Sequence, residues 1–201
     1  MKISQLKENV RFSYEYLTND RQVNLYLQIV GELYRQPIPL GLGISNYRAQ
    51  PQPDSIALGA FLAGKLIGGA SLTVSFPHKL KQLKLESDLF SLKQAFPELD
   101  LEKKVYGELN YVAILPECRN QGKTLKELIT QLVKKFKDQG GDYLFAREPG
   151  FRIKTYDRVY ADLNLSREIF RNYPYNPNLG TFEEFKALSF VVTKVSLSGG
   201  F

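Results

Sequence analysis

The sequence predicts an α/β fold in which one central mixed β-sheet carries helices on both faces. A strand, the clearest amphipathic helix of the chain and a second strand follow one another between residues 105 and 147, and such a unit makes its two strands parallel. Residues 56–76 instead predict a hairpin, which is antiparallel. The chain has 201 residues, 43% apolar and 24% charged, which predicts a single domain over residues 1–201.

The composition excludes several classes of site. Cys118 and His78 are the only cysteine and histidine, so neither an internal disulfide nor a Cys/His zinc site can form, and we expect no metal. The net charge of +6 favours an anionic partner such as nucleic acid, acidic lipid or a phosphorylated small molecule. The first ten residues lack the apolar segment of a secretory signal, and we expect a cytoplasmic protein.

The N-terminal part of the chain predicts a strand, a helix and a long loop. Residues 11–17 alternate between polar and apolar side chains, as a half-buried strand does. Thr18 and Asn19 then start a helix whose apolar residues recur at helical spacing: Val23, Tyr26, Leu27, Val30 and Tyr34. Residues 35–54 contain four of the ten prolines, which predicts a long loop of the kind that often binds ligands.

The apolar segment 56–76 raises the question of a membrane span. It carries one charge, Lys65, over a length that would cross a bilayer. However, it contains four glycines, and Gly64 and Lys65 fall in its middle, which favours a buried β-hairpin. The polar, Lys/Leu-rich segment 77–103 that follows predicts irregular helix on the surface.

The central elements are the most clearly patterned. Residues 105–115 predict a central strand because they end in a continuous apolar run. The next helix has one apolar stripe and ends at Gly140-Gly141; its stripe consists of Leu125, Leu128, Ile129, Leu132, Val133 and Phe136. Residues 142–147 predict a short strand that lies parallel to 105–115.

The C-terminal part predicts one more helix and the last strands. Residues 152–163 place Tyr156, Val159, Tyr160 and Leu163 on one side of a helix. Residues 166–173 and 187–197 predict one or two strands around a Pro/Asn-rich turn at 174–180.

The turn between the central strand and its helix is the most informative part of the sequence. The first N–H groups of a helix point outward with the positive end of the helix dipole behind them. Gly122 allows close approach to the backbone, and Arg119 and Lys123 add positive charge. The pattern predicts a phosphate cradle, although an ordinary glycine turn has the same spacing. A P-loop is disfavoured, since Glu117 stands where its first glycine is required.

The run at 112–125 (VAILPECRNQGKTL) resembles motif A of the GNAT acyltransferase superfamily, an apolar strand followed by Val-x-Pro, Arg/Gln-x-x-Gly-x-Gly/Ala and a helix. Four residues match that pattern: Ile114, Pro116, Arg119 and Gly122. Thr124 departs from it, because glycine or alanine is usual there. The order of elements along most of the chain is also similar. The resemblance implies a GNAT-like three-layer fold.

The resemblance also implies an activity, the transfer of an acyl group from acyl-CoA to an amine by direct attack. The family binds the pyrophosphate with backbone N–H groups, here those of Arg119, Asn120, Gln121, Gly122, Lys123 and Thr124. It binds the thioester carbonyl with strand backbone, here at Val112, Ala113 and Ile114. No metal takes part.

Two side chains are candidates for the proton transfers of that reaction. Glu108 is the only acid in the motif strand, which makes it the candidate base, although a salt-bridged structural Glu fits the same position. The segment 155–159 resembles the family's Leu-Tyr-Glu-Lys-Leu segment, which implies that Tyr156 is the acid. Tyr160, one helical turn on, is its rival, and a buried core Tyr is the alternative for either.

The substrate stays open between three possibilities. Acetyl transfer from acetyl-CoA to an amine of a small molecule or peptide is favoured. N-acyl amino acid synthases and autoinducer synthases also resemble the chain, through the long segment 77–103, but their Glu-x-x-Arg reads Glu108 to Tyr111 here and lacks the Arg. A degenerate acyl-CoA-binding module is the third. We expect acyl-CoA and an amine as partners, with no membrane and no nucleic acid, and leave a homodimer open.

Overall fold

Seven strands form one mixed sheet in the order β1-β2-β3-β4-β5-β7-β6. They were located in a computed structural model that describes residues 11–52, 55–119, 122–176 and 180–197. The strands are β1 Phe12–Tyr16, β2 Ser55–Leu62, β3 Lys65–Ser75, β4 Tyr106–Ile114, β5 Tyr143–Glu148, β6 Ser166–Phe170 and β7 Val191–Ser196. Within the described residues, the β4–β5 pair is parallel and the other adjacent pairs are antiparallel.

Helices cover both faces of this sheet, which makes three layers. They are α1 Asp20–Arg35, α2 Leu92–Ala95, α3 Lys123–Asp138, α4 Ile153–Asp162 and α5 Phe182–Leu188. The apolar stripe of α3 and the buried side of α4 pack on one face, in a core that includes Leu109 and Leu144. On the other face, α1 covers β3 and β4, and α5 packs in the core that contains Phe145. The expected α/β fold with helices on both faces is confirmed.

The apolar segment at residues 56–76 forms the predicted hairpin of β2 and β3 around Ala63 and Gly64. Gly68 in β3 has φ +153°, and a Cβ there would stand 2.2 Å from the carbonyl oxygen of Ala113. Only glycine therefore allows β3 and β4 to approach this closely. No helix among the described residues has both the length and the apolarity that a membrane crossing requires.

The segment 77–103 differs from the predicted irregular helix. Its α-helical part is the four-residue α2, a 3-10 helix occupies Leu101–Lys103, and the rest consists of turns, isolated bridges and irregular backbone. Six of its apolar side chains are buried in the core on the α5 side of the sheet: Leu83, Leu85, Phe90, Leu92, Phe96 and Leu101. Because they do not recur at helical spacing, they anchor the segment to that core at successive points, and it covers part of the sheet.

The C-terminal region also contains an element that the sequence interpretation missed. The prediction placed a strand at 187–197, but α5 occupies Phe182–Leu188 and β7 begins only at Val191. Thr181 caps α5 and forms a capping box with Glu184. A threonine followed three residues later by glutamate is a helix-start signal, which the interpretation did not use. Residues 177–179 of the predicted turn lie outside the described residues.

Candidate acyltransferase site

The site begins where two neighbouring parallel strands separate. β4 and β5 pair from Tyr106 and Tyr143 as far as Leu109 and Ala146, and no further. β4 nevertheless continues for five more residues and β5 for two. The separation opens a gap at the carboxyl ends of the two strands. Ligands commonly bind at that edge of a sheet that has helices on both faces.

A β-bulge in β4 faces this gap. β3 pairs Ser71 with Asn110 and Gly69 with Ala113, so one extra residue is inserted into β4 between these pairs. Tyr111 has φ +51° at this point, and its carbonyl oxygen accepts a hydrogen bond of 2.6 Å from the Tyr26 hydroxyl. This buried contact from α1 fixes the irregular backbone.

The bulge turns backbone N–H groups towards the gap. The Leu115 N–H donates to the Ile67 carbonyl on β3. Since successive N–H groups of a strand point to opposite sides, those of Val112 and Ile114 point away from β3, to the side from which β5 has separated. The two amides lie beside the parallel gap, where a carbonyl oxygen would find hydrogen-bond donors. Of the three residues whose backbone was predicted to bind the thioester carbonyl, Ala113 is the exception, because its N–H points towards β3 and away from the gap.

A groove leads from the motif turn to this gap. It has a volume of about 310 Å³ and extends from Gly122 and Thr124 to Tyr156 on α4. Its walls include Val112, Ala113, Ile114, Leu125, Leu33, Pro39 and Phe151. The sequence predicted a phosphate cradle at one end and an acid at the other, and the groove connects them.

The motif turn has the geometry of an anion cradle. Gly122 has φ +84° at the N-cap of α3, and a Cβ there would meet no atom within 4 Å. Gly122 has no side chain that could cap this helix, so its first backbone N–H groups face the turn. Lys123, the first helical residue, is exposed. Two of the predicted cradle residues, Asn120 and Gln121, lie outside the described residues.

Arg119 and Thr124 are more tightly engaged than a simple cradle would require. The Arg119 Nε donates to the Ile114 carbonyl at 2.9 Å, and its Nη2 donates to the Leu40 carbonyl at 2.6 Å. Thr124 is buried and points to β1, where burial raises the pKa of Tyr14 and the hydrogen bond with the Thr124 side chain opposes that rise. Arg119 thus braces the turn, and the Thr124 side chain is hydrogen-bonded to Tyr14 although the residue lines the groove.

A larger chamber of about 930 Å³ lies on the other side of the gap. It shares Val112 and Tyr156 with the groove, so the two cavities meet there. Glu108 lines the chamber from β4, and Arg147 lines it from β5. The loop before β2, the segment 77–103 and α5 supply the rest of its wall, with residues such as Tyr47, Lys84 and Glu184.

Glu108 has the environment of a carboxyl group that can exchange a proton near neutral pH. It is 1% exposed, and its Oε2 has no hydrogen-bond partner among the described residues. Burial raises its pKa to about 7, although the charge of Arg147 and the backbone amides of Leu85 and Lys84 act in the opposite direction. The group has no ion pair with a described residue, so the alternative of a salt-bridged structural Glu receives no support.

The two tyrosines of α4 differ in whether they line the cavities. Tyr156 lines both the groove and the chamber, whereas Tyr160 lines neither. The two rings are stacked with their centroids 6.2 Å apart, and the Tyr160 hydroxyl is buried without a partner among the described residues. Burial raises the pKa of Tyr156, so its hydroxyl keeps its proton at neutral pH.

A buried ion pair fixes the helix that carries Tyr156. The Arg167 Nη2 on β6 donates to Glu148 at 2.7 Å and to the Thr193 hydroxyl at 3.0 Å. Its Nη1 donates to the carbonyl of Ile153 and to the carboxylate of Asp157, both on α4. One guanidinium group therefore ties the first turns of α4 to β5 and β7.

The sequence interpretation missed four basic residues that line the chamber: Arg48, Lys84, Arg147 and Arg152. The sequence did contain an indication for Arg147. Side chains alternate along a strand, so Arg147 lies on the same face of its predicted strand as the apolar Phe145, which is an unusual place for an arginine. Lys84 and Arg152 had no such signal, since they lie in a surface segment and in a short turn before α4. Cys118 is buried, and burial raises the pKa of its thiol, as expected for a packing residue.

Comparisons with known proteins support the fold. No protein-family model matches the chain, and no curated protein matches it in sequence. Among solved structures, FeeM, an N-acyl amino acid synthase from uncultured soil microbes, is 13% identical with a TM-score of 0.58, over 94% of this chain and 91% of that one. Arabidopsis thaliana NAA60 in complex with acetyl-CoA is 11% identical with a TM-score of 0.59, over 94% and 100%.

The ribosomal-protein-S18-alanine N-acetyltransferase of Escherichia coli is 13% identical with a TM-score of 0.52, over 94% of this chain and 97% of that one. These likenesses extend over almost the whole chain. The chain therefore has the GNAT-like fold that motif A implied.

Proposed function

We propose that the protein is an acyl-CoA-dependent N-acyltransferase that transfers an acetyl group to an amine. The observation that carries this proposal is the continuous path from the N-terminus of α3, along the groove, to the gap where Tyr156 and Glu108 lie on opposite sides. The solved structures of the same fold include N-acetyltransferases and one that holds acetyl-CoA. Three groups of residues then have separate tasks.

The first task is to hold the coenzyme. The open turn at Gly122 and the uncapped N-terminus of α3 suit a pyrophosphate, because their backbone N–H groups carry partial positive charge. The groove beyond the turn is apolar where Leu33 of α1 and Pro39 of the following loop line it, which suits an uncharged chain. The residues present therefore fit coenzyme A.

The second task is to stabilise charge at the reacting carbonyl. Acyl-CoA supplies the thioester, and negative charge develops on its oxygen when an amine attacks. The N–H groups of Val112 and Ile114 are fixed beside the gap by the bulge and by the Tyr26 contact. Fixed donors of this kind stabilise developing charge without reorganising, and each typically contributes about 10²–10³ in rate.

The third task is to move protons. The amine nitrogen attacks the thioester carbon, so a C–N bond forms and the C–S bond breaks. An ammonium group loses two protons on the way to an amide. Glu108 accepts the first, which frees the lone pair, and releases it to solvent. Tyr156 gives its proton to the departing thiolate and recovers one from the nitrogen.

The chamber favours a short acyl group. Charged and polar side chains line most of it, including Asn110, Glu108 and Arg147, whereas a long acyl chain needs an apolar channel. Transfer of a longer acyl chain to an amino acid is the second candidate. The fold shared with FeeM favours it, as does the long segment 77–103 that contributes to the chamber wall.

Coenzyme binding is the first test of this proposal. Acetyl-CoA or coenzyme A at a hundred times its dissociation constant stabilises a protein by about 2.7 kcal/mol, which a thermal melt detects. Gly122→Asp places a carboxylate in the turn, where it fills the cradle and repels phosphate, so we expect this shift to disappear.

Gly140→Asp is the matched control for the backbone strain. Gly140 has φ +83°, against +84° for Gly122, lies at the other end of α3 and also has open space around it. Both variants should lose similar stability, but only Gly122→Asp should lose the shift. A wild-type protein whose melting temperature does not move at millimolar coenzyme A would rule out the proposal. A larger shift with ATP and magnesium would indicate a nucleotide site instead.

A further inference from the structure

Basic side chains that make no close ion pair with a described residue line the chamber, although the charges of Arg147 and Lys84 act on Glu108. Four of them line it: Arg48, Lys84, Arg147 and Arg152. None forms an ion pair with a described residue. Their hydrogen bonds go to neutral oxygens, such as that from Lys84 to the Tyr111 hydroxyl and that from Arg152 to the Gly41 carbonyl.

Most of the carboxylates in the same wall are bound by other groups. Glu148 pairs with Arg167. Glu184 accepts from the backbone and side chain of Ser45 and from the backbone of Thr181. Glu86 accepts from two backbone amides of its own segment, and Asp88 is exposed at the rim. The three engaged carboxylates therefore do not pair with the basic side chains of the chamber, which can bind an anionic group.

Arg147 is the basic residue best placed to bind such a group. Its Nη1 donates to the Tyr173 hydroxyl at 3.2 Å and to the Lys84 carbonyl at 3.4 Å, and its guanidinium lies 5.6 Å from the centre of the Tyr173 ring. Within the described part of the chain, its Nε and Nη2 make no hydrogen bond. The side chain is therefore held in place on one edge and open on the other.

Arg147 also lies beside the proposed base. Glu108 pairs in register with Phe145, and Arg147 is two residues further along β5, so its side chain is on the same face. Glu108 and Arg147 thus line the same chamber from neighbouring strands, and the buried Oε2 of Glu108 has no hydrogen-bond partner among the described residues.

We propose that the acceptor amine carries a carboxylate next to its amino group, as an α-amino acid does, and that Arg147 binds this carboxylate while Glu108 receives the proton of the amine. The proposal rests on the acyltransferase function above and names the substrate class of that site. In an α-amino acid one carbon joins the two groups, which matches a base and a guanidinium on adjacent strands. Arginine presents two parallel N–H groups that fit the two oxygens of a carboxylate.

A comparison of each amino acid with its primary amide tests this assignment, because the amide keeps the amine and loses the charge. The assay measures thiol release from acetyl-CoA with amino acids of small, aromatic and acidic side chain and with the matched amides. It is run at pH 9, where Glu108 is ionised. We expect kcat/KM to be at least about 100-fold higher for the preferred amino acid than for its amide, since the amide leaves the guanidinium unpaired.

Arg147→Met should remove this preference, because the amino acid and its amide should then be used with similar kcat/KM. Arg158→Met is the matched control, because it removes the same charge from an exposed position on α4. If both substrates lose rate equally and the pH profile moves upward, Arg147 serves Glu108 and the proposal is overturned. It is also overturned if wild type uses the amides as well as the amino acids.

The coenzyme shift separates these outcomes from a failure of the general function. A wild type that binds coenzyme A and acetylates neutral amines, without preference for carboxylates, refutes the substrate class alone. A wild type without any coenzyme shift refutes both. Should Arg147→Met fail to fold, the comparison of amino acids with amides in wild type still decides.

Discussion

Glu108 has to lose a proton before it can accept one, and its burial decides the pH at which that happens. Its pKa is raised to about 7, so the carboxylate form is present above that pH and absent below it. We expect kcat/KM to rise with pH through an inflection near 7. Glu108→Gln should lower turnover by about 10²–10⁴ and remove the inflection, because a positioned base is lost.

Steady-state rates between pH 5 and 9 check this expectation. Coenzyme binding by Glu108→Gln should be unchanged, since Glu108 lies in the chamber and the turn at Gly122 lies at the far end of the groove. Full activity in that variant would show that water or another group takes the proton.

Tyr156 and Tyr160 provide a second comparison at the level of single residues. Tyr156→Phe keeps the ring and removes the hydroxyl at the point where the two cavities meet, so turnover should fall by about 10²–10⁴ while coenzyme binding remains. Tyr160→Phe removes a hydroxyl that lines neither cavity and should leave turnover near that of wild type. Single-turnover rates of both variants measure the difference. If Tyr160→Phe loses turnover and Tyr156→Phe does not, the acid is Tyr160, one helical turn further on.

Among the elements, α5 shows how a short helix can hold the wall of a site. Thr181 accepts a hydrogen bond from the Glu184 amide, and Glu184 in turn accepts two from Ser45. Thr181→Ala should lower the free energy of unfolding by about 1 kcal/mol, because the first turn of α5 loses its cap. Urea unfolding measures this change.

Ser91→Ala is the matched control. Ser91 also precedes a helix, but its side chain makes no capping hydrogen bond, so its loss should cost much less. Equal effects of the two variants would mean that the cap of α5 contributes nothing.

The elements that sequence could predict are those whose pattern is local. The helical stripe ending at Phe136 and the alternation in residues 11–17 come from backbone periodicity, and both elements lie where they were expected. Segment 77–103 was misread because its leucines contact a distant core, which no local period encodes. The motif at the turn before α3 predicted a phosphate cradle, and the groove begins at that turn. The unpaired charges around Arg147 could not be predicted, because three separate segments bring them together.

At the scale of the whole molecule, Glu108 also has a cost for stability. Folding raises its pKa from 4.5 to about 7, so the folded state binds the proton more tightly than the unfolded state. The resulting stability is complete below about pH 4.5 and is lost as the pH rises through 7, with a total of about 3 kcal/mol. The free energy of unfolding of Glu108→Gln, relative to that of wild type, should therefore be about 3 kcal/mol higher at pH 8 than at pH 4.5.

Urea unfolding of both proteins at the two pH values measures this difference. A gap that does not change with pH would show that the carboxyl group of Glu108 is not buried as described. A difference in the free energy of unfolding that grows with pH would show that the ionised Glu108 destabilises the folded protein.

The strand order β5-β7-β6 has a consequence for how the chain reaches this fold during synthesis. β6 is made before β7, yet its only strand neighbour among the described residues is β7. A nascent chain that has extended as far as β6 can already form the sheet from β1 to β5, including the gap between β4 and β5. Its β6 remains without a partner, and β5 has an open edge. Synthesis of β7 therefore closes the sheet, and until β7 is made the open edge of β5 can pair with the strands of other chains.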